Sequence, residues 1–554
     1  MAQTSSSSKE LRYIYLAAAT IIILVISLTQ IQDKYASERY ANFLRQFKPA
    51  NHSEVNVSRY MYTVTKLKPE QRLQSFCNHV DTVNRLKMTS LKFSRVTVIK
   101  LDDEGNITIA IETFDMSNRR KTIGDDVIVV WARQANGDGS VSGHVIDHKN
   151  GSYTASVKVY WTGKTKVTLK LASSLENTCL RMKALRKYGN TVFAMQKAWG
   201  IRGTFRTNLL KELTACGANK MIFEYEKVCN FTSLNGGMSW FCGKPKRATV
   251  KCSDIKYFGT GSIYNSMVPQ KEKIRNKGHG IFKKTLYLEI PTFNKAIREV
   301  SCSQRPVSSS WTESGPSGYW LYNRWNFVNC FSNIKHDVPS YVRCLKNKNI
   351  VLIGDSTVRQ YAEYFIEHVL DLGHVNMKDA IGPNEQYHAK KLFTNYGINL
   401  MYVKHEMPFH NPNFPPNGIV SVPQLLHSLE NYNDSNNSLI LIINYNSHFS
   451  AYPPSKFRER IRHLAMAIES FVIRKPNTKI FFKGPHICID DSRWFDAKIS
   501  LLFEEIIREE FSKLRHKVIY LDVWSITIAH NSENLHPVGN AFNSQIHQFM
   551  SYIC

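Results

Sequence analysis

The chain has 554 residues and carries 72 Lys and Arg against 45 Asp and Glu, a formal charge of +27. At about 100–200 residues per domain this is two or three domains rather than one. A composition of 43% hydrophobic and 12% aromatic residues excludes wholesale disorder. Only one long apolar run occurs, which excludes a multi-span transporter or channel.

That run, residues 13–31, is uncharged and about long enough to cross a bilayer as a helix. Met1–Arg12 precedes it as a short tail with Lys9 and Arg12 beside the membrane. A cleaved signal peptide is the rival reading, leading to secretion, but no small-x-small site follows the run. The sequence therefore predicts a single transmembrane signal anchor of a type II protein, with a cytoplasmic tail over 1–12 and a luminal C-terminus. Sequons at Asn51, Asn56, Asn106, Asn150, Asn230, Asn433 and Asn436 all lie beyond the span and agree with a luminal body. So do the eleven cysteines, which also all lie beyond it. Their spacing fits no zinc template, so no metal is expected, and an oxidising lumen makes disulfides of them. The odd count leaves one over. In that compartment nucleic acid is excluded as a partner, and the basic balance points to anionic glycans or a membrane surface. The densest basic cluster, 271–277 with Lys283 and Lys284, reads first as a solvated face.

Residues 32–85 are polar and read as a stem. From about 90 to 175, alternating β-branched stretches such as Asn106–Glu112, Val127–Trp131 and Lys166–Leu171 are separated by turn signals. That spacing predicts an immunoglobulin-like β-sandwich. Residues 176–300 hold five cysteines and no clean period, and form a cysteine-rich extension of the same 86–300 region. Residues 301–554 alternate instead. Strands are predicted at 349–353, 398–403, 439–443, 479–482 and 518–521, with helices at 359–370, 455–473, 495–514 and 540–552. Such alternation predicts an α/β domain with a parallel sheet, whose sites form beyond the C-terminal strand ends.

The first of these strands runs into Gly354-Asp355-Ser356, where a strand turns into a helix. There the Ser356 hydroxyl stands at the sheet edge and the helix N-terminus offers its amides to a developing oxyanion. Asp355 or Ser356 acting only as an N-cap is the bland alternative. A serine needs a base, and the loop after the last strand supplies Glu533-Asn-Leu-His536-Pro537. His536 is the candidate base and Glu533 the carboxylate that fixes its tautomer. Asn446, after the middle strand, is the candidate side-chain donor to the oxyanion beside the Ser356 N–H. Asn444 and His448 are its rivals. His410, His486, His530 and His547 read as structural.

Gly354-Asp355-Ser356-Thr-Val-Arg359-Gln360, with Pro316-Ser-Gly-Tyr319-Trp320, Cys330, Cys344-Leu-Lys, Leu535-His536-Pro537 and Tyr552-Ile-Cys554, resembles the neurexophilin and PC-esterase (NXPE) family. The resemblance covers essentially the whole region beyond the apolar run. It implies a neurexophilin-like sandwich followed by a PC-esterase domain related to SGNH/GDSL hydrolases. It further implies Ser-His chemistry on acyl esters of glycans such as sialic acids, in the Golgi, with acetyl-CoA as the acyl donor and no bound cofactor. Glu533 departs from the aspartate of that superfamily's pattern. The competing reading is a non-enzymatic glycoprotein whose sandwich binds a cell-surface protein.

Overall fold

The computed structural model describes residues 67–554, apart from residue 83 and the stretches 190–197, 223–224, 265–279, 283–285, 292–299, 313–314, 370–387, 394–396, 406–420, 431–437 and 489–494. Helix α1 (Pro69–His79) comes first. The alternating text that follows folds into β1 (Arg95–Leu101), β2 (Asn106–Glu112), β3 (Val127–Gln134), β4 (Ser140–Ser142), β5 (His144–Asp147), β6 (Ser152–Lys158) and β7 (Gly163–Ser173). One antiparallel sheet has the order β1-β2-β6-β5. The second centres on β7, β3 and β4. It is extended by β13 (Gly280–Ile281), β14 (Leu286–Ile290) and the hairpin β15 (Gly318–Leu321) and β16 (Arg324–Phe327). Ile107, Ile109 and Ile111 of one sheet and Val130, Leu169 and Leu171 of the other share a core, which is the sheet-on-sheet packing of a sandwich.

The second sheet is buried on both faces. Val127, Val129 and Trp131 point away from the sandwich core and, with Ala172, pack against Ile487, Ala497 and Ile528 of the C-terminal region. Between the two regions, helix α2 (Leu175–Tyr188) is joined to α1 by the Cys77–Cys179 disulfide. A third antiparallel sheet follows, made of β8 (Ala198–Arg206), β9 (Lys211–Gly217), β10 (Val228–Asn230), β11 (Phe241–Gly243) and β12 (Ile255–Tyr264). Cys216–Cys242 and Cys229–Cys252 close it over a small core of Phe205, Phe231, Trp240 and Phe258.

The C-terminal sheet contains β17 (Lys348–Gly354), β18 (His388–Phe393), β19 (Ile398–Lys404), β20 (Ser438–Ile443), β21 (Lys479–Lys483) and β22 (Val518–Leu521). Its order is β18-β19-β17-β20-β21-β22, parallel except for β18. The chain leaves β17 to one side for β19 and then crosses to the other side for β20. The C-terminal end of β17 is therefore the switch point where such sheets open a crevice. Amphipathic helices cover both faces. Phe457, Ile461 and Ile468 of the helix Pro454–Arg474 lie on one side. Tyr361, Phe549 and Met550 lie on the other. Cys302–Cys330 and Cys344–Cys554 staple this region, the latter fixing the end of the chain. Cys488, the eleventh cysteine, is buried.

The fold class expected from the sequence needs correcting in two respects. The membrane-spanning helix expected over 13–31 lies outside the described residues, and among those described no helix is long and apolar enough to cross a membrane. The sheets are also mostly antiparallel: three of the four contain no parallel pair among the described residues, and parallel pairing between strands is confined to β17–β22, with one isolated parallel bridge, Ser301↔Phe331, outside them. Local periodicity marks strands but not their partners, so Tyr319 and Trp320, placed in the C-terminal region by sequence, instead continue the sandwich sheet through Trp320↔Ser140. The basic cluster 271–277 lies outside the described residues, as do Lys283, Lys284 and His410.

Candidate active site

Strand β17 is an apolar run, Ile350 to Ile353, ending at Gly354, where a side chain would not fit easily. A Cβ there would stand 3.0 Å from Val358 Cγ2 and 3.1 Å from the Asn444 carbonyl. This close approach lets the helix Ser356–Tyr364 start directly from the strand, with Asp355 as its N-cap. Asp355 Oδ1 accepts from the Thr357 amide at 2.8 Å and its hydroxyl at 2.7 Å. The Asp355 carbonyl accepts from the Val358 and Arg359 amides. The first-turn amide that Asp355 does not engage is that of Ser356, at the sheet edge. The predicted helix over 359–370 thus begins three residues earlier, and from Phe365 to Val369 it widens into a π-turn.

His536 Nε2 lies 2.6 Å from Ser356 Oγ, so the two sequence-predicted partners meet across 180 residues. The hydroxyl donates and the imidazole accepts when the ring is neutral at Nε2. His536 is exposed while Pro537 after it is buried. The loop is anchored on both sides of the ring. His486 Nε2 donates to the Leu535 carbonyl at 3.0 Å, and Gln360 Nε2 donates to the Pro537 carbonyl at 3.1 Å. Glu533 forms a largely buried ion pair with Lys170 of β7.

Asn446 is buried in the loop after β20, where its carbonyl accepts from the Phe449 amide. The next amide, of Ser447, donates to Asp355 Oδ2 at 3.2 Å, which ties that loop to the nucleophile's N-cap. Asn444 has a different task. Its amides donate to the Ile353 and Lys483 carbonyls at 2.9 Å, so it closes the strand ends. His530 and His547 are structural, bonded to Ser544 and to the Trp325 amide. Of the sequons, Asn150 and Asn230 are exposed and Asn106 is partly buried with its amide on Asp102; Asn51, Asn56, Asn433 and Asn436 lie outside the described residues.

Beneath Ser356 lies a charged layer that sequence reasoning missed. Burial works against an ionised Asp355, yet His448 and Lys483 beside it outweigh burial and hold its carboxyl well below the usual range. Burial brings the Lys483 ammonium down to about 8, and it donates to Thr357 Oγ1 at 3.0 Å. Burial also lowers His448 to about 4, and its Nδ1 is 2.7 Å from His405 Nε2. His486 falls to about 3 through burial and then Lys483. At neutral pH both rings are therefore uncharged, and Asp355 faces Lys483. A signal for His486 was present in the sequence, since Gly484-Pro485-His486 follows a strand at the same sheet edge.

Residues 325–554 match the family described as NXPE family member 4-like, C-terminal domain, and residues 132–272 match neurexophilin. The chain belongs to the NXPE family. Among solved structures it is similar to LAE5, an α/β-hydrolase from the metagenome of Lake Arreo, at 13% identity, covering 38% of this chain and 95% of that one with a TM-score of 0.22. A GDSL-like lipase from Parabacteroides merdae is 14% identical over 38% of this chain and 97% of its own, with a TM-score of 0.23. The first of the family matches covers the C-terminal part of this NXPE chain, which is the α/β domain with the parallel sheet.

Proposed function

We propose that this NXPE chain is a serine acyltransferase or esterase acting on O-acyl groups, chiefly O-acetyl groups, of glycans such as sialic acids. The observation that carries the reading is the 2.6 Å contact between Ser356 Oγ and His536 Nε2 at a helix N-terminus on a topological switch point. Ser356 Oγ attacks the acyl carbonyl while His536 takes its proton. The carbonyl oxygen becomes an oxyanion facing the Ser356 N–H. Collapse expels the leaving group, which takes the proton back from His536, and leaves an acyl-Ser356 ester. An acceptor hydroxyl or water then gives its proton to His536 and attacks the ester, and the bond to Ser356 Oγ breaks as His536 returns the proton to that oxygen. With a sugar hydroxyl as acceptor the net reaction is transfer, and acetyl-CoA is the donor this reading assigns. With water it is hydrolysis.

Five disulfides among the described residues support an oxidising, secretory-pathway location, which we take to be the Golgi lumen. The partner implied is a glycan or glycoprotein. The test is mass spectrometry of alkali-labile O-acetyl groups on glycans of cells expressing wild type or Ser356→Ala at equal levels. A serine-dependent rise is expected of a transferase and a serine-dependent fall of an esterase. Equal acetylation across several glycan backgrounds would leave the sandwich as a binding module for a cell-surface protein.

A further inference from the structure

We propose that Lys170, a residue of the β-sandwich, is a positioning residue for the Ser356–His536 pair, so that the sandwich forms part of the active site. The inference rests on the acyl-transfer reading above and assigns to that site a residue from outside the α/β domain. On β7, Leu169 and Leu171 point into the sandwich core. Strand alternation places Lys170 on the opposite face with Ala172, toward the C-terminal region. Lys170 is only 7% exposed. A buried ammonium is costly unless a carboxylate meets it, and the carboxylate that does so is Glu533, 363 residues later and three before His536.

Four side chains from far along the chain help to hold the His536 loop. Two come from the α/β domain: His486 on the Leu535 carbonyl and Gln360 on the Pro537 carbonyl. The other two come from the sandwich: Lys170 on Glu533, and Arg133 of β3, whose Nη2 donates to the His530 carbonyl at 2.5 Å. The His536 ring is exposed, so its place depends on its contact with Ser356 and on how the loop that carries it is held. A shift of about 1 Å in a base lowers rates by roughly 10²-fold, so one lost anchor should be readable.

The test is the second-order rate at which a fluorophosphonate labels Ser356 in the full chain, alongside the melting temperature. Wild type should label and Ser356→Ala should not. Lys170→Met should label at least ~10-fold more slowly, and Lys170→Arg, which keeps the cation, should recover most of the rate. A wild-type rate in folded Lys170→Met, or a slowing that Lys170→Arg does not relieve, overturns the proposal. Should Lys170→Met not fold, the charge-swapped pair Lys170→Glu with Glu533→Lys replaces it. Labelling within about fivefold of wild type supports the proposal, and a folded but unlabelled double variant overturns it. Failure of wild type to label is a distinct result, which removes the serine-nucleophile reading and this proposal with it.

Discussion

The two sheets of the sandwich differ in a way that explains how the molecule is assembled. Along β2 and β6 every second residue is buried, the pattern of a sheet with one face on a core and one toward solvent. Along β3 the first six residues are all buried, and along β7 the last seven. One face of that inner sheet meets the sandwich core, and the other meets Ile487, Ala497 and Ile528. The outer sheet thus stabilises the sandwich alone, while the inner sheet belongs to two cores at once. An ionisable residue on the inner sheet's far face, Lys170, is consequently in reach of the loop that carries His536.

That contrast predicts effects of graded size. The largest is chemical: Ser356→Ala or His536→Ala should lower acyl turnover by ~10³-fold or more. The melting temperature should stay within a few degrees, since neither residue belongs to a core. Next, Trp131→Ala on the shared face should destabilise the protein by about 3–5 kcal/mol. Urea unfolding monitored in both regions should give one coincident, shifted transition. Separate transitions would show that the sandwich and the α/β domain do not share this core.

Acid should act at the junction more than on the outer sheet. Burial lowers His448 to about 4 and His486 and His530 to about 3, against 6.5 for a free ring. In that window the unfolded chain binds protons that the native state refuses, so stability is complete above about pH 6.5 and falls as pH drops toward 4 and then 3. Each ring contributes about 1–2 kcal/mol by pH 5. Asp355 has its pKa depressed in the fold, so its contribution is present above the ordinary aspartate range and fades only at still lower pH. Calorimetry between pH 7.5 and 5 should show the loss, and a flat profile would contradict burial of these rings. The smallest effect belongs to the outer sheet, where exposed Ile146→Ser should change stability by no more than about 0.5 kcal/mol.

Much of the α/β domain was legible because its elements are local. The five parallel strands, from Lys348–Gly354 to Val518–Leu521, are buried β-branched or aromatic runs, and the long helices between them keep a helical period. Ser356 was legible because it stands where a strand ends, and His536 because Glu533-Asn-Leu-His536-Pro537 marks a loop before the last helix, although the helix Val523–Ala529 separates that loop from the last strand. What escaped depends on pairing across the chain. The hairpin Gly318–Phe327 joins the sandwich through a single bridge to Ser140, and no periodicity announces that partner. Glu533 shows a spacing that suits His536, but its salt bridge is to Lys170. The layer of Asp355, Lys483, His448 and His405 was invisible because its members come from four strand ends brought together only by the sheet.

Every step of the proposed chemistry depends on Ser356 as the nucleophile. The direct measurement is peptide mass spectrometry of the full chain, acid-quenched while turning over a p-nitrophenyl acetate probe. An acetyl group should be found on the Ser356 peptide of wild type and should be absent from His536→Ala. Probe turnover with acetyl on another residue, or undiminished turnover in Ser356→Ala, would contradict it.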